Sequence, residues 1–307
     1  MSRIHEALQR AYLERGKLSV PDDIHVAEPR IAPIMQEQPV VKAEVALENI
    51  TEYSWKPSIQ SFPTLADRGA GVEQFRSLRS HIYQARYDAP LKTILIASGM
   101  PSEGKSFVAA NLAVSLARNS IHNILLIDGD LRRPTLHTLL GAPNSPGLSN
   151  YLEGTAEMND IMQRDRIAGA AENASVGSIS NLTFIPSGGS SDHSSELVAN
   201  HRMEELITAA SPYFDWILID APPVLAVSDA VELSRASDAV LLVARGSTTP
   251  YDVAQRAKAA FGTSRILGFV LNAVKDAPRK GSYNYNYYYS GEPEGGDQGK
   301  RRKESGR

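Results

Sequence analysis

Residues Gly99-Met100-Pro101-Ser102-Glu103-Gly104-Lys105-Ser106 read G-x-x-x-x-G-K-S, a spacing suited to phosphate chemistry. Backbone N–H groups of such a loop and of the helix that follows can surround phosphates. Lys105 adds a positive charge near the β- and γ-phosphates, and the Ser106 hydroxyl is placed to ligate Mg²⁺. An apolar run before the loop and a helical pattern after it supply the context the motif needs, so the expected cofactors are ATP and Mg²⁺. Two acidic segments extend the chemistry. Ile124-Leu125-Leu126-Ile127 leads into Asp128-Gly129-Asp130-Leu131-Arg132, and Trp216-Ile217-Leu218-Ile219 leads into Asp220-Ala221-Pro222-Pro223. Each aspartate alone could cap a helix. Three of them at strand ends beside a phosphate loop fit better as a convergent site, because an open parallel sheet binds ligands at the carboxyl ends of its strands.

The elements that must hold these residues alternate along the chain. Helices are expected near Val72–Ala85, Lys105–Asn119, Ser195–Ala210 and Pro250–Phe261. Strands are expected at Thr93–Ala97, Asn123–Ile127, Leu182–Ile185, Trp216–Ile219, Ala239–Val243 and Leu267–Leu271. Continuous Ile/Leu/Val runs alternating with helices predict an α/β fold, a parallel sheet with helices on both faces.

Outside this region the composition changes. Residues 1–16 place Ile4, Ala7, Leu8, Ala11 and Tyr12 on one helix face. That amphipathic helix could pack on its own domain or dock on another protein. Residues 17–68 hold six prolines (Pro21, Pro29, Pro33, Pro39, Pro57, Pro63) and predict an extended linker, with a short helix around Val40–Ile50. The globular domain is expected over 69–277. From 278 to 307 the chain is rich in Gly, Ser and charge and is expected to be disordered. Five of the 12 tyrosines, Tyr283, Tyr285, Tyr287, Tyr288 and Tyr289, crowd into that tail. On composition alone they could be a sticky aromatic surface.

The whole chain has 307 residues, with 32 basic and 35 acidic groups for a net charge of −3. That balance gives no electrostatic reason to expect nucleic acid as a partner. Without cysteine, disulfides, thiolate catalysis and Cys-ligated metals are excluded. No apolar run reaches the roughly 20 residues of a spanning helix, and the N-terminus does not read as a signal peptide. The expectation is a soluble, cytoplasmic chain.

The motifs SGMPSEGKS, ILLIDGDLR and ILIDAPP, in that order, resemble the Walker A loop, the apolar-D-x-D-x-R motif and the Walker B strand of the bacterial tyrosine kinases of exopolysaccharide and capsule biosynthesis. The likeness covers about residues 70–290, including GLSNYLEG, SELVANHRMEEL, SDAVELSRASDAVLLVARGSTT and LGFVLNAV. Ser102 departs from it, standing where the family's loop often has Gly. The resemblance implies a P-loop NTPase-like fold and a protein-tyrosine autokinase. By the same resemblance, Lys105 stabilises the transferring phosphate and Asp128 takes the tyrosine proton. Ser106 and Asp130 hold the metal, with Asp220 acting through its water shell.

Glu73, Arg76 and Arg79 match the family's E-x-x-R-x-x-R motif. From spacing alone they read as an amphipathic surface helix; the resemblance instead implies contact with a neighbouring subunit and a ring. It also makes the tail tyrosines autophosphorylation sites. It implies further a separate transmembrane activator resembling a polysaccharide co-polymerase, a tyrosine phosphatase, and a peripheral location at the inner membrane through the activator. Two rival readings remain. A positioning ATPase would carry a second lysine where Met100 stands. A nucleotide-gated structural regulator of polymer export would use the same nucleotide parts without transferring phosphate. A dinucleotide dehydrogenase does not fit, because the loop is not G-x-G-x-x-G.

Overall fold

The computed structural model describes residues 49–58, 60–118, 121–166, 179, 181–189 and 193–274. The expected helices at 1–16 and around Val40–Ile50 lie wholly or almost wholly outside them, as do the tail and its five tyrosines.

Eight strands form one sheet: β1 (Thr51–Tyr53), β2 (Thr93–Ser98), β3 (Ile124–Asp128), β4 (Gln163–Asp165), β5 (Leu182–Ile185), β6 (Trp216–Asp220), β7 (Ala239–Arg245) and β8 (Ile266–Asn272). Their spatial order is β1-β4-β5-β3-β6-β2-β7-β8. All neighbouring pairs are parallel except β4 with β5. Among the described residues nine α-helices accompany them: α1 (Ala70–Asp88), α2 (Lys105–Ala117), α3 (Leu136–Leu140), α4 (Leu148–Leu152), α5 (Met158–Ile161), α6 (Ser194–Val198), α7 (Arg202–Ala210), α8 (Asp229–Arg235) and α9 (Tyr251–Ala260).

The strand sequences explain the layers. In β2, β3 and β6 every residue is buried, as continuous apolar runs require in a sheet covered on both sides. Side chains alternate between faces. Leu95, Leu125, Ile127, Ile217 and Ile219 join one core with Leu206, Leu233 and Ala257 from α7, α8 and α9. Ile94, Ile96, Leu126, Trp216 and Leu218 join the other with Phe75, Val108 and Leu136 from α1, α2 and α3.

Three expectations need correction. Residues 50–65 do not behave as linker: β1 extends the sheet, and Trp55, Phe62 and Leu65 are buried in the second core. Buried Asn111 of α2 fastens this strap, donating through Nδ2 to the Ser61 carbonyl (2.9 Å) and accepting from Thr64 Oγ1 (2.9 Å). The sheet is also not purely parallel, because β4, a short polar strand, runs antiparallel to β5. The single helix expected at Ser195–Ala210 is two, α6 and α7. Asn200 lies in the break, where its Oδ1 accepts from the Arg202 N–H at 3.3 Å, a local bond that competes with helix continuation.

Candidate active site

Three adjacent parallel strands end on one side of the sheet, and each ending carries part of the site. Asp128, at the end of β3, sits in register with Asp220 at the end of β6, while Ile96 of β2 pairs with Asp220 from the other side. The Gly99–Ser106 loop leaves β2 there and enters α2. Gly129 allows the tight approach of β3 to β6. Its N–H donates to the Asp220 carbonyl at 2.8 Å, and a Cβ at this position would lie 2.9 Å from that oxygen.

The loop is braced from behind. Buried Glu103 accepts the Met100 N–H at 2.8 Å and the Thr249 hydroxyl. Asn272, at the end of β8, donates to the Glu103 carbonyl at 3.0 Å, and Arg245 donates to that of Ser102 at 3.2 Å. Gly104 has φ +92°, and a Cβ there would come within 1.9 Å of Asn272 Nδ2, so only glycine fits. Ser102, where the family often has Gly, takes φ +65°. No side chain caps the N-terminus of α2, so its first amides remain free for an anion.

Lys105 folds back over the acids. Its Nζ lies 2.9 Å from Asp130 Oδ2, 3.5 Å from Asp220 Oδ2 and 3.2 Å from Ser106 Oγ. Burial works against its charge, but Asp220 and Asp130 outweigh that and raise its pKa. Asp128 is fully buried and accepts N–H bonds from Asp130 (3.3 Å), Thr135 (3.2 Å) and Leu136 (3.1 Å). Burial first, and the charge of Asp220 second, push its pKa up to about 8. Burial likewise raises that of Asp220, with Lys105 opposing. Both Asp220 oxygens are buried, with the Lys105 ammonium 3.5 Å from Oδ2.

A cavity of about 490 Å³ opens over this cluster, lined by Gly104, Lys105, Ser106, Asp130, Arg132 and Pro222 among others. Its size suits a nucleotide. The structure thus gathers Lys105, Ser106, Asp128, Asp130 and Asp220 at one place. It does not bring Glu73, Arg76 and Arg79 there. Those lie on α1, where Arg76 pairs with Glu73 at 2.5 Å and Arg79 donates to the Ser115 carbonyl at 2.5 Å. Arg76, Arg79 and Arg118 line a separate pocket of about 310 Å³.

Comparison with known proteins decides the family. No family model matches the chain. The tyrosine-protein kinase YwqD of Bacillus subtilis is 35% identical over 218 residues, covering 70% of this chain and 85% of that one. This chain belongs to the bacterial tyrosine kinases. Tyrosine-protein kinase etk of Escherichia coli K12 is 32% identical over 289 residues, which span 91% of this chain but 37% of etk. Wzc of Salmonella typhimurium is matched over 28% of its length at 34% identity. Among solved structures, the kinase domain of E. coli ETK superposes with a TM-score of 0.59 at 34% identity, covering 70% of this chain and 80% of that domain. The family makes it an ATP-dependent protein-tyrosine kinase with a P-loop nucleotide site.

Several residues that brace this kinase's site escaped the motif reading. Glu103 enters a motif reading only as a loop position, and Thr249 and Asn272 only as parts of longer matched segments. Nothing in a single sequence says that Asn272 reaches a loop 169 residues earlier. The one available signal was that the alternating pattern of β8 ends in a polar residue.

Proposed function

We propose that this chain is a protein-tyrosine autokinase that transfers the γ-phosphate of ATP to its own tail tyrosines, Tyr283, Tyr285, Tyr287, Tyr288 and Tyr289, in trans within a ring. The carrying observation is the juxtaposition of Lys105 with three buried aspartates over a nucleotide-sized cavity, in a chain of this family.

The donor set fits a divalent cation, because three buried carboxylates and the Ser106 hydroxyl gather around one lysine. Ser106, Asp130 and Asp220 would hold it. Among the described residues no group of three His, Asp or Glu side chains forms a ready cage, as expected for Mg²⁺ that takes phosphate and water as most of its ligands. Bound there, Mg²⁺ would neutralise phosphate charge and draw the Asp128 pKa down towards its base form.

The residues then divide the work. The Gly99–Gly104 loop and the first amides of α2 orient the phosphates, and Lys105 turns from the aspartates to the γ-phosphate. The phenol oxygen attacks phosphorus, the bond from phosphorus to the bridging oxygen breaks, and ADP leaves with that electron pair. The phenol proton passes to the Asp128 carboxylate. A free phenol has a pKa of about 10, so this transfer must accompany bond formation. Positioning and charge neutralisation supply most of the acceleration.

Glu73, Arg76 and Arg79 would bind the neighbouring subunit. Five phosphates would add at least about seven negative charges to the tail and loosen that packing. No described helix is long and apolar enough to cross a membrane. By family resemblance, the proposed system also includes a separate membrane-spanning activator that places the kinase at the cytoplasmic side of the inner membrane, a phosphatase that resets it, and a role in exopolysaccharide synthesis or export. The matched part spans 28% of Wzc and 37% of etk. A chain ending at residue 277 tests the tail assignment. It should gain almost no phosphotyrosine with Mg²⁺-ATP, and labelling equal to that of the full chain would overturn the assignment.

A further inference from the structure

Arg132, the last residue of the D-x-D-x-R segment, is held by a network of side chains from α6 and α8. Asp229, the first residue of α8, is 1% exposed. Its Oδ2 accepts Arg132 Nε at 3.0 Å and Ser194 Oγ at 2.9 Å, and its Oδ1 accepts Ser195 Oγ at 2.5 Å. Ser195 in turn accepts Arg132 Nη2 at 2.8 Å. One edge of the guanidinium is thus clamped by a carboxylate and a hydroxyl, and among the described residues Nη1 has no hydrogen-bond partner. Arg132 also lines the nucleotide cavity with Lys105, Ser106 and Asp130.

A buried carboxylate that spends both oxygens on one arginine and two serines is costly unless every partner is in place. Here all are, and the result is an arginine fixed in direction at the edge of the cavity. Holding a guanidinium rigidly before substrate arrives places positive charge where negative charge collects, without a reorganisation cost at the reacting centre. Lys105 is a mobile point charge on a flexible stem, whereas Arg132 is a planar fork with one edge already fixed.

We infer that Asp229 is a positioning residue which, with Ser194 and Ser195, aims Arg132 at the terminal phosphate of bound ATP, so that this network reads the difference between ATP and ADP.

This rests on the kinase reading for its consequence in rate, but nucleotide binding tests it whether or not the chain makes phosphotyrosine. The full-length protein is titrated with Mg²⁺ and either ADP or the non-hydrolysable β,γ-imido analogue of ATP, and the ratio of the two Kd values is the readout. Arg132→Ala should lower the preference for the triphosphate about tenfold or more, the effect of losing a charge-assisted bond. Asp229→Asn should lower it similarly, and adding it to Arg132→Ala should change nothing further. Ser195→Ala, which leaves the Asp229–Arg132 pair intact, should lower it about threefold and provides a second arm should Asp229→Asn fail to fold. An unchanged ratio in both Asp229→Asn and Ser195→Ala would overturn the inference. So would a further loss on combining Asp229→Asn with Arg132→Ala, since that would show a role independent of the arginine.

Discussion

At the ends of β3 and β6, one lysine faces three carboxylates and almost nothing is exposed. On α1, Glu73 and Arg76 pair at 2.5 Å with side chains 39% and 51% exposed, while Arg79 of α1 and Arg118 at the end of α2 spend N–H groups on backbone carbonyls. Both regions concentrate charge, but burial makes them behave differently. Among the buried acids, low polarity raises the pKa values of Asp128 and Asp220 and disfavours their charged forms, which a bound cation would favour. Around α1, solvent screens each pair, so its worth to folding is small and its charge stays open to a partner. Chemistry is assigned to the first region and association to the second on that ground.

The largest effect should come from Lys105→Met. It removes the ammonium that faces the buried aspartates and should lower the rate of phosphotyrosine formation by about a hundredfold to a thousandfold, the usual cost of losing one charge-stabilising group. Circular dichroism checks that the fold survives. Gly104→Ala comes next. Its Cβ would collide with Asn272 at a backbone φ of +92°, so stability should fall by about 1–3 kcal/mol. Nucleotide affinity should fall with it, as read by thermal melts with and without Mg²⁺-ATP.

A third test concerns the protonation of Asp128 in the nucleotide-free protein. Its folded pKa of about 8 lies above the ordinary value of 3.8, so between those values the native state binds more protons than the unfolded chain. The stability it contributes is complete below about pH 4 and is lost as pH rises through about 8. Asp128→Asn should flatten the fall in Tm across that window when metal is chelated, and an unaltered slope would place the titration elsewhere. The smallest effect belongs to α1. Arg76→Ala should change stability by less than about 0.5 kcal/mol yet shift the assembly towards monomers in sedimentation velocity. A large loss of stability with unchanged assembly would reverse the contrast between the two regions.

Much of this was legible in the sequence. The buried strands β2, β3, β6 and β7 announced themselves as Ile/Leu/Val runs, and the loop, Asp128, Asp130 and Asp220 fell where strand ends must place them. What was not legible depended on distance or on short elements. β1 and β4 have three residues each and no apolar run. The strap at 50–65 looked like linker because proline content masked Trp55, Phe62 and Leu65, whose burial depends on Asn111 some fifty residues later. The Asp229 clamp joins residues 97 apart, and Asp229 taken alone reads as an ordinary acid in the first turn of a helix.

In the proposed reaction the buried lysine and aspartates of one chain direct phosphate to the tail of a neighbouring chain. Its most direct test mixes wild-type protein with a tagged Lys105→Met chain under Mg²⁺-ATP and maps phosphotyrosine on the tagged chain by mass spectrometry. The account predicts phosphate on Tyr283, Tyr285, Tyr287, Tyr288 or Tyr289 of the tagged chain when wild type is present, and none when it is alone. Phosphate on the tagged chain alone, or a tail left blank while wild-type protein binds ATP, would contradict it.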